Sequence, residues 1–195
     1  GAFKTKLPVA SKTKPTWVRN HIDQSHELVF QDRWNRLNLI SNGGKRLWSY
    51  GINRPISTPI YQIDMYDNGK LQYLFGAGNE LHLVDRLGRS VSGFPISTPN
   101  DMRLLNVLDV DQNHQYYFVM SDPFGQVYMY NKYKHLRYGW QPRRLNGEAT
   151  GGIKHIKVGK EDYMVAIQKD GVIYVMDKFG RNIDGIPLGI HEETL

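Results

Sequence analysis

Leu83-Val84-Asp85-Arg86-Leu87-Gly88-Arg89 runs an apolar pair into a short polar turn closed by a basic residue. The same plan stands at Leu39-Ile40-Ser41-Asn42-Gly43-Gly44-Lys45, at Met129-Tyr130-Asn131-Lys132-Tyr133-Lys134-His135 and at Val175-Met176-Asp177-Lys178-Phe179-Gly180-Arg181. The aligned positions Gly44, Gly88, Lys134 and Gly180 are 44, 46 and 46 residues apart. Strand-like alternation fills the intervals, without helical periodicity. A period in the forties with that patterning predicts an all-β fold: a β-propeller-type repeat domain of about four four-stranded antiparallel blades. Such a set of blades forms either a small closed propeller or an open arc from a larger one.

Reading outward from the turns places the strands. Ile60 to Tyr66, Leu71 to Phe75 and Glu80 to Val84 form the inner strands of the second repeat, with a fourth through Ser90-Val91-Ser92. Leu104 to Val110, Tyr116 to Met120 and Gln126 to Tyr130 belong to the third. Ile153 to Val158, Tyr163 to Gln168 and Val172 to Met176 belong to the fourth. The first is less regular, with Trp17 to His21, Glu27 to Gln31 and Arg36 to Ile40. Blade exits at Gly93-Phe94-Pro95, Gly139-Trp140-Gln141-Pro142 and Gly185-Ile186-Pro187 match, since proline blocks further ladder pairing. The repeats therefore run over about 16–54, 55–98, 99–148 and 149–195, behind a basic arm at 1–20.

The net charge of +6 is concentrated in that arm. Residues 1–20 carry Lys4, Lys6, Lys12, Lys14 and Arg19 and no acid, while the remainder holds 20 basic and 19 acidic side chains. No stacking motif accompanies the arm's charges, so it reads as solvated and no nucleic-acid partner is expected. Its alternating Phe3-Lys4-Thr5-Lys6-Leu7 suits an added outer strand on a sheet edge. No apolar run reaches the length of a membrane span, and no signal-peptide core is present, so any targeting segment is expected to have been removed or to lie outside this chain. With no cysteine, disulfides and thiolate metal sites are excluded.

Catalytic and cofactor motifs do not emerge. Seven histidines are scattered without an HExxH pair. Gly76-Ala77-Gly78 is followed by a strand, where a phosphate-binding loop requires a helix, and so reads as a hairpin turn. Asp109-Val110-Asp111-Gln112-Asn113 alternates oxygens like the start of a calcium loop, but His114 and Met120 stand where glycine and a bidentate acid are needed. Asp85, Asn131 and Asp177 share one repeat position, as turn-forming side chains that accept a backbone N–H would. No cofactor and no metal are expected.

Aromatic residues supply the binding signal. Tyr116, Tyr128, Tyr130, Tyr133, Tyr138 and Trp140 crowd the third repeat, and such rings serve protein hot spots or stack on sugars, as well as packing between blades. An alternative reading is a glycan-active hydrolase or lyase whose acids converge on the central propeller face. Asp32, Asp64, Asp109 and Asp122 are its candidate acids.

Two resemblances add context. Leu39 to Trp48 resembles the blade motif of quinoprotein-type (PQQ-like) propellers, in which a Gly-Lys turn leads to a tryptophan docked between blades. Counted from the turns, Ser92, Tyr138 and Asp184 fall near the Trp48 slot, so that docking residue is not expected to recur. Val18-Arg19-Asn20-His21, Tyr61-Gln62-Ile63-Asp64, Asn68-Gly69-Lys70-Leu71-Gln72-Tyr73-Leu74-Phe75 and Lys160-Glu161-Asp162-Tyr163 are similar to the C-terminal propeller region of large envelope proteins of Bacteroidota. That resemblance implies a part of a larger protein, periplasmic or extracellular, with no activity assigned to particular residues. The expectation is a non-catalytic scaffold or binding module that presents blade loops to a protein or glycan partner. Self-association or further segments of the parent protein would cover any open blade edges.

Overall fold

The computed structural model describes residues 6, 10–111, 113–140 and 143–184. All regular elements among them are β-strands. The chain divides into two compact units, Gly1–Pro99 and Asn100–Leu195.

In the first unit, β1 (Thr16–Arg19), β2 (His26–Gln31), β3 (Arg36–Ile40) and β4 (Arg46–Gly51) form one antiparallel sheet in chain order. β5 (Tyr61–Ile63), β6 (Gln72–Ala77), β7 (Glu80–Val84) and β8 (Ile96–Ser97) form another. In the second unit the order is again sequential, with β9 (Leu104–Leu108), β10 (Tyr117–Ser121), β11 (Gln126–Asn131) and β12 (Arg143–Arg144). β13 (Ala149–Val158), β14 (Glu161–Gln168) and β15 (Ile173–Asp177) complete the described strands. Each sheet is a meander of strands that neighbour one another in chain order, which is the construction of a propeller blade.

Inner strands are buried on both faces, as strands between two neighbouring blades must be. β6 reads Gln72-Tyr73-Leu74-Phe75-Gly76-Ala77, and every residue of it is buried. The core of the first unit joins Val29, Leu37 and Leu39 to Tyr73, Phe75 and Val84, with Trp48 and Tyr50 packed against it. In the second unit, Val119, Val127 and Met129 meet Met164, Ala166 and Met176 around Trp140.

The repeated turn between third and fourth strands has one geometry in all four copies. Gly44, Gly88, Lys134 and Gly180 have φ of 80°, 78°, 69° and 74°. Each amide donates to the carbonyl of the first turn residue, Ser41, Asp85, Asn131 or Asp177, at 2.9–3.0 Å. Glycine enters this left-handed region without steric penalty, whereas Lys134 occupies it with a side chain.

One expected strand differs. The outer strand of the second sheet is interrupted: Ser90 bridges Val84, and pairing resumes only at Ile96 and Ser97. Gly93, at φ 82°, turns the backbone away, and Pro95 has no N–H to offer the ladder. The segment Phe3 to Leu7 lies largely outside the described residues. Farther along the arm, Ser11 bridges Asp32 and Lys12 N–H donates to the Gln31 carbonyl at 2.8 Å, so this stretch follows the β1 side of β2. The exit at Gly185-Ile186-Pro187 also lies outside the described residues.

Candidate functional site

The acids of the repeated turns form the turns themselves. Asp85 Oδ1 accepts the N–H groups of Leu87 and Arg89, each at 2.9 Å, while Oδ2 takes Arg89 Nε at 2.8 Å. Asp177 does the same with Phe179 and Arg181. Asn131 keeps the two backbone bonds, to Tyr133 and His135. Burial pushes the Asp85 and Asp177 carboxyls up, but the bonds from Arg89 and Arg181 and the turn amides outweigh it and hold both below the usual range.

The candidate catalytic acids also cap turns. Asp32 is buried, and its oxygens accept Trp34 N–H, Arg36 N–H, Arg36 Nε and Asn38 Nδ2. Burial raises its pKa, and these bonds more than reverse the effect. Asp122 accepts from Phe124 and Gln126 amides and from Asn100 Nδ2. Asp64 caps Asn68 and Gly69, and Asp109 caps Asn113 and His114 with the same two-oxygen arrangement. The oxygen-rich stretch at Asp109 thus folds as a capped hairpin turn. Among the described residues no cluster of His, Asp and Glu is arranged to hold a metal ion.

The six aromatics of the third repeat separate into packed and exposed rings. Trp140 is 0% exposed, in the core of its unit. Tyr128 is buried, stacked on half-buried Tyr130 at 6.5 Å, with its hydroxyl donating to Gln126 Oε1. Tyr116 is half-buried and stacked on His114. Tyr133 and Tyr138 face solvent, at 62% and 80% exposure. Tyr138 meets Phe179 edge-on, and with Gly139 and Arg181 these two line a cavity of about 360 Å³.

Tryptophan docking does recur, contrary to the count from the turns. Trp48 Nε1 donates to the Arg86 carbonyl at 2.9 Å, and Trp140 Nε1 to the Lys178 carbonyl at 3.0 Å. Both bonds span 38 residues, from an outer strand or blade exit to the turn of the following blade. Close approach requires glycine here. A Cβ on Gly88 would come within 2.7 Å of the Trp48 ring, and one on Gly139 within 2.2 Å of the Phe179 carbonyl. The exit of the third blade carries two more residues between turn and tryptophan than the first, which displaced the slot.

A second feature was not anticipated. Arg86 Nη2 reaches Glu27 Oε1 at 2.7 Å, and Glu27 is 2% exposed. Asn20 Nδ2 also donates to Glu27, at 3.4 Å. Burial pushes the Glu27 carboxyl up, only partly offset by the Arg86 charge. Nearby, burial raises the Tyr73 phenol to about 12. Glu27 Oε2, Arg86 Nε and Tyr73 Oη are buried without hydrogen-bond partners. The outer wall of Arg86, with His21, Ile22, Tyr66 and Leu87, lines a cavity of about 360 Å³ opened by the blade turns.

No protein-family model matches the chain, and no curated protein matches it in sequence. Solved structures match in fold. BBS1N, solved in complex with ARL6DN, has a TM-score of 0.66 at 12% identity, covering 92% of this chain and 57% of that one. Dihydro-heme d1 dehydrogenase NirN gives 0.63 at 12% identity, over 91% of this chain and 38% of that one. BamB from Moraxella catarrhalis gives 0.50 at 12% identity, over 92% and 65%. These are β-propeller proteins, and the fold here is of that kind. The chain spans less than two thirds of the length of each.

Proposed function

We propose that this chain is a non-catalytic propeller module of a larger envelope protein, presenting blade turns to a protein or glycan partner. One observation carries the reading: the turn acids are consumed in shaping the turns, while apolar side chains stand exposed at the turn tips and blade exits. Leu87, Tyr133 and Tyr138 are the prominent examples. A carboxylate that caps two amides and a guanidinium, as Asp32, Asp85 and Asp177 do, is held ionised in the turn it shapes. Propeller folds serve both binding and catalysis, so the site decides, and here the exposed chemistry suits contact. The complex of BBS1N with ARL6DN supports protein binding as a use of this fold. The recurring tryptophan dock favours a PQQ-like blade lineage, and the envelope location rests on the sequence resemblance.

The test pairs binding with turnover. Tyr133→Ser/Tyr138→Ser is expected to abolish retention of a defined glycan, or of a cross-linked envelope protein, that the native chain retains at micromolar concentration. Turnover of a polysaccharide panel that disappears in Asp32→Asn or Asp122→Asn, with unfolding behaviour unchanged, would falsify the reading.

A further inference from the structure

The turn between β2 and β3 carries Arg33-Trp34-Asn35-Arg36. Trp34 is 51% exposed. The guanidinium carbon of Arg33 lies 4.2 Å from the Trp34 ring centroid, and that of Arg36 lies 5.0 Å away. Lys12 Nζ donates to Asn35 Oδ1 at 3.1 Å, which brings the basic arm onto the same turn.

The charge here is one-sided. Asp32 is the only acid between residues 31 and 57, and it is buried and paired with Arg36. Residues 1–20 contain no acid. Arg33 and Lys12 are exposed, and among the described residues neither joins an ion pair. The surface therefore offers uncompensated cations around the exposed Trp34 indole.

A guanidinium laid against an indole keeps its N–H fork free for an oxyanion, and the stacking fixes it in advance of binding. Tryptophan and arginine are also the side chains enriched where protein partners bind most strongly. Single-stranded nucleic acid is held by successive aromatic platforms, whereas the other exposed indole of this sheet, Trp17, is set edge-on against His26. We propose that the Arg33-Trp34-Asn35-Arg36 turn, with Lys12 beside it, docks an acidic polypeptide segment that carries an apolar side chain. Carboxylates engage Arg33 and Lys12, and the apolar group packs against Trp34. The turn belongs to the first unit and Tyr133 and Tyr138 to the second, and the two sets share no residue, so loss of either leaves the other testable.

The probe is a fluorescein-labelled Asp/Glu-rich dodecapeptide containing one Phe, followed by anisotropy at 50 and 200 mM salt. Comparators are its Phe→Ser version, oligothymidylate and oligogalacturonate of equal charge. Arg33→Glu is expected to weaken the Phe peptide about tenfold or more, whereas Lys45→Glu, on the turn at the other end of β3, leaves it within about twofold. Trp34→Ala is expected to weaken the Phe peptide severalfold and leave the Ser peptide unchanged. Thermal unfolding confirms that these exposed-site variants fold. Three results overturn the proposal: no binding of the Phe peptide at 50 mM salt, equal losses for Arg33→Glu and Lys45→Glu, or tighter binding of either comparator polymer.

Discussion

The two units use one dock and support it differently. In the first, half-buried Trp48 holds the Arg86 carbonyl, and the Arg86 side chain turns inward to buried Glu27. In the second, fully buried Trp140 holds the Lys178 carbonyl, and Lys178 stays exposed over the Phe179 ring. The second unit stabilises the contact by apolar burial, the first by a smaller ring contact plus a desolvated ion pair. Burial of an indole is favourable in itself, while a buried pair gains only if both charges are satisfied. Orphan atoms at Glu27, Arg86 and Tyr73 mark the first unit as the more polar solution.

The largest test is at the tryptophans. Trp140→Ala is expected to destabilise the second unit by roughly 3–5 kcal/mol, from lost burial and the cavity left behind. Trp48→Ala costs less, because its ring is half-buried. Urea unfolding with amide exchange resolved by unit measures both, and equal losses would erase the distinction drawn above. Next come the turn cations. Arg86→Ala strands Glu27 without its counter-charge and costs roughly 3 kcal/mol or more, whereas Lys178→Ala stays within about 0.5 kcal/mol. The double change Glu27→Leu/Arg86→Met is expected to restore most of the loss, since it removes both charges together.

A pH effect follows in size. The Tyr73 phenol ionises near 12 in the folded chain, against about 10 when unfolded. Between those values the unfolded chain releases a proton that the folded one keeps, so stability falls as pH rises, by up to about 1.4 kcal/mol per pH unit. Tyr73→Phe should shrink that slope in the first unit, leaving the share of Tyr61, whose phenol burial also raises. At neutral pH it costs little, because the hydroxyl has no hydrogen-bond partner. An unchanged alkaline slope in Tyr73→Phe would separate the phenol from the stability of its unit. The smallest change in the stabilising direction is Lys134→Gly, which relieves a left-handed lysine at φ 69° and should stabilise the second unit by about 1 kcal/mol. Thermal unfolding reads the gain.

The turns were the most legible part of the sequence, because one backbone geometry demanded the same small set of residues four times. Inner strands followed from their alternation and from the fixed distance to those turns. Trp140 was legible as an aromatic but not as a dock, because slots counted from the turn slip by two residues in the third repeat. Counted from the ring instead, Trp48, Phe94, Trp140 and Ile186 recur every 46 residues. The Glu27–Arg86 pair joins positions 59 residues apart, which no local pattern reports. Its one sequence signal was an acid at an inward position of β2, two residues before buried Val29. The Trp34 turn sat in plain order as Arg33-Trp34-Asn35-Arg36, but that Arg33 and Arg36 lie against the ring depends on how the turn folds.

The spacing of the tryptophan bonds also bears on how the protein is made. Each indole must wait for a carbonyl 38 residues downstream, so a blade emerging from the ribosome holds an unsatisfied ring until the next turn has been synthesised. At ordinary elongation rates that interval is on the order of 2–8 s. Within each unit the later blade is thus clasped by the earlier one in the order of translation, the second blade by Trp48 and the fourth by Trp140.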